Sequence, residues 1–136
     1  ISGCSFNDSF FNRAIFRSCK GIGSKFTGSV MKNLEITECN MNDSNFDSSR
    51  LEHVRIEQTK LDSSNLTQCR CKQVEWQEAS LVNANFFQTS LSGMDFSNSA
   101  LTGLTLSDDN HELRGAIVDL YQAAELAKRL GLIIKE

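Results

Sequence analysis

The chain has 136 residues, a formal net charge of −3, 40% hydrophobic and 23% charged residues, and no proline. This balance suits one folded domain and excludes a disordered chain or one built to coat nucleic acid. No apolar run reaches membrane-spanning length and no basic stretch leads into an apolar one at the start, so neither a transmembrane helix nor a signal peptide is expected. The five cysteines then read as reduced thiols of a cytoplasmic protein.

From Ile1 to Leu106 the sequence keeps a beat of five. Every fifth residue, Ile1, Phe6, Phe11, Phe16 and onward to Leu106, is apolar at 21 of 22 positions, where chance at this composition gives about nine. Two residues earlier runs a second column, from Cys4 to Leu104, in which 18 of 21 are Ala, Ser, Cys, Thr or Val. Neither the helix period of about 3.6 nor the strand period of about 2 produces this pattern. A solenoid that turns a corner every five residues does, with a large and a small side chain directed inward on each side.

The repeats Ser44-Asn45-Phe46, Ser64-Asn65-Leu66 and Ala84-Asn85-Phe86 resemble the A(D/N)LXX unit of pentapeptide-repeat proteins. Asn40-Met41, Ser80-Leu81 and Asp95-Phe96 follow the same rule, and the resemblance covers residues 1–107. It implies an all-β fold, a right-handed quadrilateral β-helix with four pentapeptides per coil. On that reading positions twenty apart stack at roughly 4.8 Å, and 107 residues form a tube of roughly 25 Å with a little over five coils. One core stack becomes Phe6, Phe26, Phe46, Leu66 and Phe86, ending on Leu106, and is expected to be almost fully buried. Asn45, Asn65 and Asn85 align as an asparagine ladder. Because the chain opens on Ile1 in register and without methionine, further N-terminal coils or a cap are expected ahead of it.

Lys20-Gly21-Ile22-Gly23 puts glycine in a large-residue slot. Either Gly21 leaves a small void or a bulge turns Ile22 inward.

After Leu106 the beat stops at Ser107-Asp108-Asp109-Asn110, and residues 111–118 read as a last partial turn. The spacing then predicts a helix over about 120–130, with Asp119 as N-cap, Gln122 closing a capping box and Gly131 as C-cap. Leu132-Ile133-Ile134 reads as a short strand. Residues 108–136 thus form a C-terminal cap for the open end of the solenoid. The segment also resembles the C-terminus of Qnr-type quinolone-resistance proteins, which implies a second role for Tyr121, Leu126 and Leu130 in a homodimer contact.

Candidate chemistry is sparse. His53 and His111 have no third ligand at metal spacing, and the Cys69-x-Cys71 pair and Cys4, Cys19 and Cys39 fall in inward slots as small hydrophobes. Cys19 and Cys39 stack closely enough for a disulfide, but parallel side-chain vectors argue against one. No nucleophile–base set or glycine-rich phosphate loop can be assembled, so no catalytic residue, metal or cofactor is expected. What remains is surface. The face centred on Phe16, Ile36, Ile56, Trp76 and Phe96 carries Glu35, Glu38, Glu57, Glu75, Glu78 and Asp95, with Arg17 and Arg55. Its neighbour carries Arg13, Lys32, Arg50, Arg70 and Lys72, with Glu52.

An acidic stripe on a rod can enter a basic groove. The family resemblance implies a non-catalytic DNA mimic that binds a type II topoisomerase, DNA gyrase or topoisomerase IV, and affects quinolone susceptibility. Two features depart from that pattern: the coil region holds 11 acidic against 10 basic residues, and no projecting loop interrupts the register. The alternative is a structural scaffold for an unrelated protein. Neither direct nucleic-acid binding nor membrane association is expected.

Overall fold

In the computed structural model, which describes residues 3–135, hydrogen-bonded neighbours in the repeat region lie twenty residues apart. Four strands, β1 (Phe10–Arg17), β2 (Val30–Thr37), β3 (Arg50–Glu57) and β4 (Arg70–Gln77), form one parallel sheet in chain order. Single bridges continue the same pairing, from Ser5↔Lys25 to Asn85↔Thr105 and from Lys20↔Asn40 to Ser80↔Ala100. The chain is therefore a parallel β-solenoid with four five-residue sides per coil. Side one is centred on Phe6, Phe26, Phe46, Leu66 and Phe86, and side two on Phe11, Met31, Leu51, Cys71 and Leu91. Side three is centred on Phe16, Ile36, Ile56, Trp76 and Phe96, and side four on Gly21, Met41, Leu61, Leu81 and Leu101. Each strand spans sides two and three.

The corners are made by the residue two places after each large one. Its backbone is left-handed at Asp8, Arg13 and Ser18, again at Asn33, Glu38, Asp43 and Ser48, and so on to Gln88, with glycine at positions 23, 28, 93 and 103. After sides one and four the corner is closed by a bond such as Ser29 N–H to Phe26 O at 3.1 Å or Ser44 N–H to Met41 O at 3.3 Å, the arrangement of a type II turn. The corners inside β1–β4 rely on the ladder instead. None of these corner residues is β-branched, as left-handed backbone demands.

Inside the tube the large residues stack. The Phe6 and Phe26 rings lie 5.2 Å apart and the Phe26 and Phe46 rings 5.0 Å apart, nearly parallel. Phe26, Phe46, Leu66 and Phe86 are buried, whereas Phe6 is only half-buried at the N-terminal end of the described stack. Ile1 lies outside the described residues. The small slots do more than save space. Ser29, Ser49 and Cys69 donate to the carbonyls of Phe6, Phe26 and Phe46 on the coil before, at 2.9, 2.7 and 3.1 Å. The corresponding slots between sides two and three hold Ala14, Leu34, Val54 and Val74.

At Gly21 the register is unbroken: its N–H donates to Asn40 O at 2.8 Å, the residue is buried, and Ile22 stays outside. The bulge does not form. A methyl group on Gly21 would meet Met41 at 3.6 Å and Ser24 at 3.4 Å, so the flexible methionine borders the slot. The asparagine ladder is also different from its expectation. Asn45, Asn65 and Asn85 align, but their side-chain oxygens accept from their own chain two residues on, at Asp47, Thr67 and Phe87 N–H. These are Asx turns that set up the corner, not rungs bonded to one another.

Phe46→Ala should lower stability by about 3–5 kcal/mol, read by chemical denaturation. Gly21→Ala should raise it by about 0.4–1 kcal/mol, since the glycine is not left-handed and the methyl fits. At the corner, Gln58→Val should cost about 1–2 kcal/mol while Gln58→Gly should not. Equal effects of the two replacements would contradict the corner's role.

Candidate functional site

The acidic residues of side three alternate with other groups along the tube. Glu35, Arg55 and Glu75 are successive register partners, so a guanidinium stands between two carboxylates. Arg55 also pairs with Glu57 at 3.5 Å. Glu38 and Glu78 occupy the next corner column with Gln58 between them, and accept from Ser18 Oγ at 3.3 Å and Gln58 Nε2 at 3.2 Å. Glu38, Glu57 and Glu78 therefore do not form one rising column, because Glu57 lies one position away and is paired. Asp95 is exposed, and its carboxyl is held below the usual range by the Ser97 hydroxyl and N–H, at 2.6 and 2.9 Å.

Side two is cationic. Arg50 stacks over Arg70 and both are exposed. Lys72 and Arg13 are exposed as well, while Lys32 pairs with Glu52 at 3.6 Å.

The C-terminal segment ends the ladder. Leu91 N–H donates to Glu112 O, Gly93 N–H to Gly115 O and Phe96 N–H to Ile117 O, at 2.8–2.9 Å. These donor–acceptor offsets are 21–22 residues, against 19 in bonds such as Leu61 N–H to Ser80 O on earlier coils, because Ser107–Asn110 bulges before a 3-10 turn at His111–Leu113. Helix α1 (Leu120–Ala127) follows, with the Asp119–Gln122 capping box present, and a 3-10 turn at Lys128–Leu130 ends on left-handed Gly131. Beyond it, residues 132–135 form no strand. They find no ladder to join, and Ile133 is 97% exposed.

Three side chains replace the backbone of the coil that does not follow. On earlier coils Ser48 and Gln68 N–H donate to Thr67 and Phe87 carbonyls. The next in that series, Gln88 N–H, donates instead to Glu112 Oε2 at 2.9 Å, and Ser107 N–H and Oγ reach the same oxygen at 3.0 and 2.6 Å. Gln122 Nε2 donates to Phe96 O and Ser99 O at 2.6 and 2.5 Å. Arg129 Nη1 donates to Leu104 O at 2.9 Å. Leu113, Ala116, Val118 and Leu126 pack on the core. Tyr121 and Leu130 point away and are 84% and 68% exposed. Of the expected contact residues, Leu126 thus faces the solenoid and the other two face outward. Sequence reading picked out Asp119 and Gln122 as a cap but missed what Glu112, Gln122 and Arg129 hold. The lone buried glutamate in a polar break carries no periodic signal.

A family model described as a pentapeptide repeat region matches residues 35–106. The chain belongs to the pentapeptide-repeat family. Among solved structures, the trypsin-treated R167E form of QnrB1, a plasmid-mediated fluoroquinolone resistance protein, is 21% identical with a TM-score of 0.54, over 99% of this chain and 74% of that one. Full-length QnrB1 is 14% identical with a TM-score of 0.46, over 94% and 100% of the two chains. The pentapeptide repeat protein Rfr23 from the cyanobacterium Cyanothece 51142 is 18% identical with a TM-score of 0.36, over 88% and 86%. The first of these supports the shared fold. No curated protein matches.

In this pentapeptide-repeat protein all five cysteines are free thiols. Cys39 and Cys69 are buried, and Cys4, Cys19 and Cys71 half-buried. Burial pushes the Cys69 thiol up to about 11 and the Cys71 thiol up to about 12, which keeps both protonated and unreactive. His53 is an exposed corner residue. Asp109, His111 and Glu112 come close enough together to hold a cation, but their atoms are spent. His111 Nδ1 is 2.7 Å from Asp109, and the Glu112 carboxylate closes the ladder. Among the described residues, no helix is long and apolar enough to cross a membrane.

The cap should titrate from both sides. Burial works against the Glu112 charge, but the donors of Ser107 and Gln88 outweigh it and hold the carboxyl below its ordinary value. Its contribution is present above the unfolded value of about 4.3 and lost as pH falls through the folded one. Asp109 first, and then Glu112, raise His111 above its ordinary value. That contribution is complete below about 6.5 and lost as pH rises through the folded value. Melting curves from pH 3 to 9 should therefore lose their alkaline decline in His111→Gln. Glu112→Gln should cost about 1–3 kcal/mol at pH 7 by leaving buried donors short of an acceptor.

Proposed function

We propose that this pentapeptide-repeat protein is a non-catalytic protein-binding solenoid whose side three enters the basic DNA-binding groove of a type II topoisomerase, DNA gyrase or topoisomerase IV, in place of DNA. The observation that carries the reading is the set of exposed carboxylates Glu35, Glu38, Glu75, Glu78 and Asp95, repeated along one side of a stiff rod. A low-dielectric wall lined with one sign of charge attracts and steers a partner of the opposite sign. The fold shared with a fluoroquinolone resistance protein supports the choice of target. The reading places the protein in the cytoplasm, without a cofactor and without direct contact to nucleic acid, and links it to quinolone susceptibility.

A second reading, a scaffold for an unrelated protein, is favoured by Arg55, which separates Glu35 from Glu75 and pairs with Glu57. It sets the carboxylates of that column two coils apart, about 9.6 Å. We further propose a homodimer through the C-terminal cap, with Tyr121 and Leu130 at the seam and Leu126 behind them. Exposed Leu120 beside Tyr121 supports that contact, since adjoining apolar side chains in water favour a partner.

Supercoiling by gyrase, with and without ciprofloxacin, tests the first reading. The protein should alter the reaction, and the effect should weaken as salt rises. Reversing Glu35, Glu75 and Glu78 to lysine should abolish it with the fold intact, whereas reversing Arg50, Arg70 and Lys72 to glutamate should leave it. Equal loss from both sides points to net charge, and no effect at all points to the scaffold reading. Sedimentation should give a dimer at micromolar concentration, and Tyr121→Glu with Leu130→Glu a folded monomer. A monomer before substitution excludes the seam.

A further inference from the structure

The cationic side two has chemistry of its own. Its outward column reads Phe10, Val30, Arg50, Arg70 from coil to coil. Arg50 and Arg70 are direct register partners, so two guanidinium stems leave neighbouring coils about 4.8 Å apart. Like charges directly opposite on a ladder destabilise it. Neither side chain forms an ion pair among the described residues, and Lys72 adds a third cation nearby. The carboxylate on this side, Glu52, is engaged by Lys32. Around the corner Asp47 accepts from Thr67 Oγ1 at 2.6 Å, and Asp8 lies beside Gly28 without an ion pair. A shallow groove bordered by Gly28, Ser48, Gln68 and the two arginines runs along this corner. Two adjacent guanidiniums with free donors match the oxygens of one phosphoryl group, which each can hold bidentately.

We propose that Arg50 and Arg70 clamp the phosphoryl group of a phosphorylated segment of a partner protein, and that an apolar residue three positions away in that segment rests on Phe10 and Val30. Phe10 is 64% exposed. The midpoint of Phe10 and Val30 lies two coils, about 9.6 Å, from the midpoint of the arginines. A polyproline II segment repeats its facing every three residues over about 9.3 Å, so it presents both groups to the same column. The groove is too open to enclose a free anion, and a phosphoserine brings about two negative charges and three acceptor oxygens already tethered to a chain. This inference is independent of the acidic side three.

Two proline-rich peptides test it, one with leucine three residues before a phosphoserine and one with leucine three residues after, titrated against the full chain by fluorescence anisotropy. One of them should bind, and its unphosphorylated form should bind at least tenfold more weakly. Moving leucine next to the phosphoserine should weaken binding several-fold. Arg50→Gln and Arg70→Gln should each weaken it tenfold or more, with melting no lower than that of the unsubstituted chain. Lys60→Gln on side four, the same change in net charge, should matter less than twofold. Binding that ignores phosphorylation, equal loss from Lys60→Gln, or no binding by either peptide would overturn the proposal. So would inorganic phosphate competing as tightly as the peptide, because the ligand would then be a free anion.

Discussion

The structure depends on a left-handed residue at every fifth position from Asp8 to Gly93. That one backbone state turns the chain through a corner, and the four residues between corners then have only one arrangement available. Two side chains point in, two point out, and the residue twenty places on arrives one strand spacing above the first. The requirement is steric, so many side chains satisfy it, but β-branched ones are shut out. Side chains one residue before the large one assist where the turn is closed, as when Asn65, next to Leu66, accepts from Thr67 N–H. Corner, ladder and core therefore reinforce one another rather than adding independently.

A solenoid of this kind has a problem only at its ends. Within the stack each coil satisfies the polar groups of the next, and the last coil is left with donors and acceptors aimed at nothing. Here the chain solves it with side chains. The Glu112 carboxylate takes the place of a carbonyl, and Gln122 and Arg129 take the place of N–H groups. A helix with no fully buried residue is held across the end by these bonds and by Leu126. The cap thus combines these polar bonds with the packing of Leu113, Ala116, Val118 and Leu126 on the core, and through Glu112 and His111 it answers to pH.

Function falls to the sides. The same five-residue beat that fixes the core leaves three residues in five free to vary, and these sort into an acidic and a cationic side that meet at one bent sheet. Each outward residue recurs every coil, so any recognition built on these sides reads a spacing set by the backbone. Charges in such columns also interact with one another, which is why Arg55 between Glu35 and Glu75 lowers the field of side three and the bare pair Arg50 and Arg70 raises that of side two.

The sequence by itself determined the five-residue period, the inward columns and the Asp119–Gln122 capping box, because each is a local or strictly periodic demand on residue type. Only the tertiary structure decided the rest. Gly21 keeps register because the ladder from Asn40 holds it, a force from another coil. Serines in the small column donate to carbonyls 23 residues earlier, which no local pattern encodes. Leu132–Ile134 has the composition of a strand but no edge to pair with. Glu112 looks like one more surface acid until the coil it replaces is seen to be missing, since its role is set by which backbone groups the fold leaves unpaired.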